Sequence, residues 1–131
     1  MIVLDASAAI EWLLQSPLGS KVEERLFSRA ETLHAPHLLD VEVAQVLRRY
    51  VMAGVITAAR GGYALDDLSE LSVTRYPHDL LLRRVWELRD NLTAYDATYV
   101  ALAETLDARL VTCDRKMASA SGHHAKVVVV S

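Results

Sequence analysis

Cysteine is nearly absent from this chain. Cys113 is the only one in 131 residues, which excludes an intramolecular disulfide and any zinc cluster built on thiolates. It reads as a small buried side chain following a strand. Proline is scarce too, at three, and no repeat, low-complexity stretch or linker interrupts the chain. Residues 1–131 are therefore expected to form one domain, with 52% hydrophobic content to build its core. No apolar run nears the roughly 18 residues that a bilayer span needs. The opening Ile2-Val3-Leu4-Asp5 has neither the basic segment nor the cleavage site of an export signal, so a cytoplasmic protein without membrane contact is expected. A basic excess is also missing: the formal net charge is −3, which argues mildly against a polyanionic partner held by charge alone. Two bound divalent cations would reverse that sign, so the argument does not decide the matter.

What the chain does have is a regular alternation of short apolar runs and helical patterns. Met1–Leu4 followed by Asp5-Ala6-Ser7 and the apolar Ala8–Leu14 segment reads as strand, tight turn, helix. Ser16-Pro17-Leu18-Gly19 breaks that helix, and Lys21–Arg29 restarts with Val22, Leu26 and Phe27 at helical spacing. Leu33–Pro36 is a second strand. A long helix over Leu38–Ala53 carries Val43, Val46, Leu47 and Tyr50 on one side, with Gly54 as its stop. Thr57 caps the next helix, whose first turns Gly61-Gly62 weaken. A strand over Ser72–Tyr76, an amphipathic helix over His78–Asp90, a helix over Ala94–Leu106, a strand over Arg109–Thr112, a short helix over Asp114–Ala120 and a last strand over Lys126–Val130 complete the chain. Strands alternating with helices imply an α/β fold, a mostly parallel sheet with helices on both faces, and ligands beyond the carboxyl ends of its strands.

Four carboxylates stand at element boundaries within apolar settings: Asp5, Glu42, Asp96 and Asp114. Each has a structural alternative. Asp5 and Asp114 can cap the helices that follow them, Thr93-x-x-Asp96 is a capping-box pattern, and an acid in a first turn suits the helix dipole, although Asp40 fits that role better than Glu42. Taken together they say more. Asp5 and Asp114 follow strands, Asp96 shares its helix face with Val100 and Ala103, and Glu42 interrupts an apolar run, so the four converge inward on one sheet edge. Carboxylates forced together are costly to bury unless a cation compensates them, and Mg²⁺ or Mn²⁺ suits an all-oxygen set. The five histidines form no ligand motif, and His123-His124 reads as an exposed turn. Ser7 and Thr112 are placed either to orient a ligand carboxylate or a metal-bound water, or to bond the backbone at a helix start. The basic pairs Arg48-Arg49, Arg83-Arg84 and Arg115-Lys116 read as solvated faces or phosphate contacts.

Four fragments, in order and spacing, carry a resemblance: Val3-Leu4-Asp5-Ala6-Ser7-Ala8, Pro36-His37-Leu38-Leu39-Asp40-Val41-Glu42-Val43-Ala44, Leu92-Thr93-Ala94-Tyr95-Asp96-Ala97-Thr98-Tyr99-Val100-Ala101, and Leu110-Val111-Thr112-Cys113-Asp114. Over nearly its whole length the chain resembles the PIN-domain ribonucleases, in particular the VapC-type toxins of prokaryotic toxin–antitoxin pairs. The resemblance implies a PIN-like three-layer sandwich, Mg²⁺- or Mn²⁺-dependent RNA endonuclease activity through metal-activated water, and products with 5′-phosphate and 3′-hydroxyl ends. It also implies a homodimer and inhibition by a small cognate antitoxin. Asp5 and Asp96 carry over as direct metal ligands, with Glu42 and Asp114 completing the acidic cluster.

A different class of function stays open on residues alone: a non-catalytic PIN-like module whose acidic pocket only holds a cation or a basic partner segment. Two phosphotransfer readings are disfavoured. Ser7 stands where a phosphatase of the two-aspartate type needs its second aspartate, and a receiver domain needs a lysine that Arg109–Cys113 lacks. Apolar positions in Ile10–Leu14 and Val22–Phe27, with Val46, Tyr50 and Val55, exceed the needs of a small sheet and read as a docking surface.

Overall fold

Short apolar runs become strands here, and the capped segments between them become helices. The computed structural model describes residues 1–131. Its elements are β1 (Ile2–Leu4), α1 (Ala6–Leu13), α2 (Pro17–Phe27), β2 (Leu33–Pro36), α3 (Leu38–Met52), α4 (Ala58–Glu70), β3 (Val73–Tyr76), a 3-10 turn (Asp79–Leu81), α5 (Leu82–Glu87), α6 (Ala94–Leu106), β4 (Arg109–Thr112), α7 (Arg115–Ser119) and β5 (Lys126–Val129). All strand pairs are parallel, in the order β3-β2-β1-β4-β5. β1 and β2 are buried throughout, as befits strands covered on both faces, whereas the edge strands β3 and β5 contain no fully buried residue. Helices α1 to α4 pack as one group and α5 with α6 as another; α1 and α2 reach β4, and α6 lies across β1, β2 and β4. This is the expected three-layer α/β sandwich. No helix is long and apolar enough to cross a membrane.

The strand order positions the site. From the central β1 the chain steps outward to β2 and β3, then returns to the other side of β1 for β4 and β5. That reversal opens a crevice beyond the carboxyl ends of β1 and β4, the usual place for a ligand in an open α/β sheet.

Three local expectations change. Ser16–Gly19 does not merely break a helix but starts one: Pro17 occupies the first helical position and the Ser16 hydroxyl accepts from the Gly19 N–H at 3.1 Å. Gly19 also admits α1, since a Cβ there would collide with the Glu11 carbonyl oxygen. The amphipathic segment from His78 is shorter than its pattern, because the Leu88 carbonyl accepts from the N–H groups of both Asn91 and Leu92 and closes the helix before Asp90. Its buried face, Leu81, Val85, Leu88 and Leu92, still holds helical spacing. Finally, Ile10, Leu13, Val22 and Leu26 are core residues, whereas Phe27, Met52 and Val55 are among the large apolar side chains left exposed.

Candidate active site

Local structure delivers each of the four carboxylates to the crevice. Asp5 directly follows β1, and its N–H donates to the Val111 carbonyl of β4 at 3.0 Å, extending the ladder one residue past the strand. Asp114 lies two residues beyond β4, Glu42 in the second turn of the helix that leaves β2, and Asp96 in the first turn of α6. Only Asp114 caps a helix, accepting from the Lys116 N–H at 2.9 Å. At α6 the cap is Thr93, whose hydroxyl accepts from the Asp96 N–H at 3.2 Å.

Asp5 occupies the cap position of α1 yet makes no capping bond. Its Oδ2 accepts instead from Ser7 Oγ and Thr112 Oγ1, each at 2.6 Å. Those hydroxyls are themselves held by the backbone: Cys113 N–H donates to Ser7 Oγ and Asp114 N–H to Thr112 Oγ1, both at 2.9 Å. A hydroxyl has one proton. With its lone pairs receiving the backbone donors, each hydroxyl turns that proton to Asp5, so the loop after β4 fixes the orientation of a carboxylate on β1.

The electrostatics are those of uncompensated negative charge. Asp5 is 4% exposed, and burial pushes its pKa up despite the two hydroxyl bonds. Burial likewise raises Glu42, and the charges of Asp5 and Asp96 add to the effect. Asp96 is pushed up to about 6, by burial first and then by Asp5 and Asp114. None of the four enters an ion pair. Lys116 opposes the shift of Asp96 only weakly, as an exposed side chain.

Tyr99 belongs to this site and was not singled out from the sequence. It is fully buried one turn after Asp96 on α6. Burial, then the Glu42 charge, push its phenol far up, and the phenol in turn pulls Glu42 down. That pull comes from hydrogen bonding at close approach, yet the pair falls short of good hydrogen-bond geometry, and Glu42 Oε1 and the Tyr99 phenol oxygen are the two buried side-chain polar atoms without a partner. The available signal was positional: a residue three after an inward-facing aspartate lies on the same helix face.

No three His, Cys, Asp or Glu side chains stand ready to hold a metal ion. The carboxylates are gathered at one edge without closing into a ligand set. Their donor chemistry nevertheless fits a hard divalent cation: all oxygen, net negative, and with one oxygen, Glu42 Oε1, buried and unpartnered. The other candidates lie elsewhere or are already engaged. His124 is exposed and contacts Glu104 at 3.1 Å, His123 bonds the Met117 carbonyl, and Arg84 is committed to Glu104. Arg48, Arg49, Arg83, Arg115 and Lys116 are exposed. Cys113 is half-buried, its thiol pushed up to about 11 by burial and by Glu11 and Asp5, which leaves it unreactive at neutral pH.

Comparison with known proteins agrees with this geometry. The family model for the PIN domain matches residues 2–122. Ribonuclease VapC9 of Mycobacterium tuberculosis is 45% identical over 130 residues, covering 99% of this chain and 98% of the relative. Ribonuclease VapC12 of the same organism is 42% identical over 131 residues, covering 100% of both. Among solved structures, VapBC2 from Rickettsia felis, bound to a DNA fragment from its promoter, superposes with a TM-score of 0.73 at 14% identity and covers 100% of both chains.

Proposed function

Because the chain belongs to the PIN-domain family, within its VapC-type ribonucleases, we propose that it is the toxin of a toxin–antitoxin pair: a cytoplasmic, Mg²⁺- or Mn²⁺-dependent endoribonuclease comprising a single PIN-like domain over residues 1–131. The observation that carries the metal is that Asp5, Glu42, Asp96 and Asp114 lie at the β1/β4 edge with no ion pair to relieve their charge. Asp5 and Asp96 are the direct ligands, with Glu42 and Asp114 completing the set. A divalent cation bound there supplies an activated water and neutralises charge on the scissile phosphate. The chain's own residues supply the rest. Ser7 and Thr112 both bond Oδ2 of Asp5 and so fix the orientation of that carboxylate. Bare carboxylates repel a phosphate, so their charge must be compensated before the substrate can settle in the crevice. Lys116 and Arg115, on the exposed rim after Asp114, are placed to meet the RNA backbone.

The partner reading rests on the likeness to VapBC2 and on the open apolar residues Phe27, Met52 and Val55. A cognate antitoxin covers that surface and brings a basic side chain to the acidic edge, and the toxin acts as a homodimer. Purified protein is expected to cleave RNA with Mg²⁺ or Mn²⁺ and to stop on chelation. Undiminished cleavage in excess chelator sinks the mechanism, and absence of cleavage under any metal returns the non-catalytic binding module. In cells, the chain alone should arrest growth, the neighbouring small protein should restore it, and Asp5→Ala should be harmless while still binding that protein. Growth arrest that persists with Asp5→Ala would overturn the nuclease-toxin reading.

A further inference from the structure

A tyrosine in a fully buried helix position normally finds a partner for its hydroxyl, because a phenol stripped of water and left unpaired is worse than the phenylalanine that would fill the same space. Tyr99 makes no bond of good geometry, and neither does Glu42 Oε1, the other unpartnered buried atom, although the phenol lies close enough to pull Glu42 down by hydrogen bonding. That the two unpaired polar atoms of the interior face one another argues against two independent packing defects. A donor and acceptor this close, yet short of hydrogen-bond geometry, need only a small turn of either side chain to complete the bond. The negative charges of Asp5 and Asp96 bear on Glu42, so a cation that compensates them removes the repulsion opposing its approach.

We propose that Tyr99 is a positioning residue, whose buried O–H completes a hydrogen bond to Glu42 when Glu42 turns to ligate the divalent cation, and so fixes the carboxylate in its ligating orientation. This rests on the metal reading above. It parallels the other side of the crevice, where Ser7 and Thr112 already hold Asp5. The difference is that Asp5 is fixed in advance by short backbone-anchored hydroxyls, while Glu42, on a longer side chain from a separate helix, is fixed only as the metal binds. Outer partners that orient a ligand typically contribute about 10- to 100-fold in metal affinity.

The test is a Mn²⁺ titration, read by loss of the free-ion electron paramagnetic resonance signal, on wild type, Tyr99→Phe, Glu42→Gln and the double variant, with metal-free melting recorded for each. Tyr99→Phe is expected to weaken Mn²⁺ binding about 10-fold, to leave metal-free melting unchanged or raised, and to shift the Mn²⁺ concentration for half-maximal cleavage more than the rate at saturating Mn²⁺. In the Glu42→Gln background the same change is expected to have no further effect on affinity. Equal affinity of Tyr99→Phe and wild type overturns the proposal, as does an equal loss in both backgrounds, which shows that the hydroxyl does not act through Glu42. A lowered metal-free melting temperature with affinity intact reveals a packing role and overturns it too. If wild type itself takes up no Mn²⁺, the metal reading fails and this proposal falls with it, an outcome distinct from the others.

Discussion

Helix α6 carries a buried or half-buried acid at each end, and the two behave oppositely. Near its amino end, Asp96 is pushed up to about 6 by burial and by its neighbours Asp5 and Asp114. Near its carboxyl end, the Glu104 side chain is 6% exposed. Burial alone would raise it, yet its pKa ends below the ordinary value because Arg84 bonds both oxygens, at 2.8 and 3.0 Å, and the His124 N–H adds a third bond at 3.0 Å. The helix dipole predicts the reverse order, favouring negative charge at the amino end. Local partners therefore outweigh the dipole at both ends. A buried carboxylate built for structure comes with its cation, and Arg84 uses its remaining donor capacity to pin the Gly122 carbonyl of the loop before β5. Asp96, the proposed metal ligand, has no such cation within the chain.

The sharpest way to break this contrast is to neutralise each acid in turn. Asp96→Asn is expected to reduce metal-dependent RNA cleavage by more than about 100-fold, since even outer partners of metal ligands cost 10- to 100-fold, while metal-free melting rises as repulsion is relieved. A variant that cleaves at the parent rate would remove Asp96 from the site. One that unfolds would favour a capping role, although the cap of α6 is Thr93. Glu104→Gln should do the opposite, leaving activity in the surviving folded protein and lowering stability by about 1–3 kcal/mol, because the Arg84 guanidinium loses its charged partner. Chemical denaturation of both variants decides the pair.

The smallest expected effect is in the pH dependence of the metal-free protein. Asp96 has a raised folded-state pKa, so its folded form holds the proton more tightly and contributes most at low pH; that contribution is lost between about pH 4 and 6. Partial exposure limits the change to about 1–2 kcal/mol. Glu104 has a depressed pKa, so its contribution is present above the ordinary glutamate value and lost as pH falls through the folded value. Stability of wild type minus Asp96→Asn should therefore fall from pH 4 to 6, and that of wild type minus Glu104→Gln should rise as pH climbs to the ordinary glutamate value and stay level above it. Saturating Mn²⁺ should abolish the first slope and leave the second. Two slopes of the same sign would show that the acids at the two ends of α6 do not differ as described.

The strands, most helix starts and the four acidic positions were legible in the sequence because each is governed by neighbours along the chain. Thr57, Thr93 and Asp114 cap the helices they precede, and Gly54 adopts φ 74° at the end of α3. Less was legible where non-local packing acted. α1 ends through Gln15 at φ 55° and α6 through Asp107 at φ 49°, left-handed conformations without glycine, and no pattern announced either one.

The sequence by itself determined which residue types face inward, since apolar periodicity and the helix-start signals are local, and it thereby placed four carboxylates on one sheet edge. Only the tertiary structure decided what surrounds them. Asp5 spends its Oδ2 on Ser7 and Thr112, the latter 107 residues away, and Tyr99 faces Glu42 across two helices. Whether an acid is paired, as Glu104 is with Arg84, or left bare, as Asp96 is, depends on which distant side chain arrives beside it. Coulomb and hydrogen-bond energies fall off over a few ångströms of space, irrespective of separation along the chain.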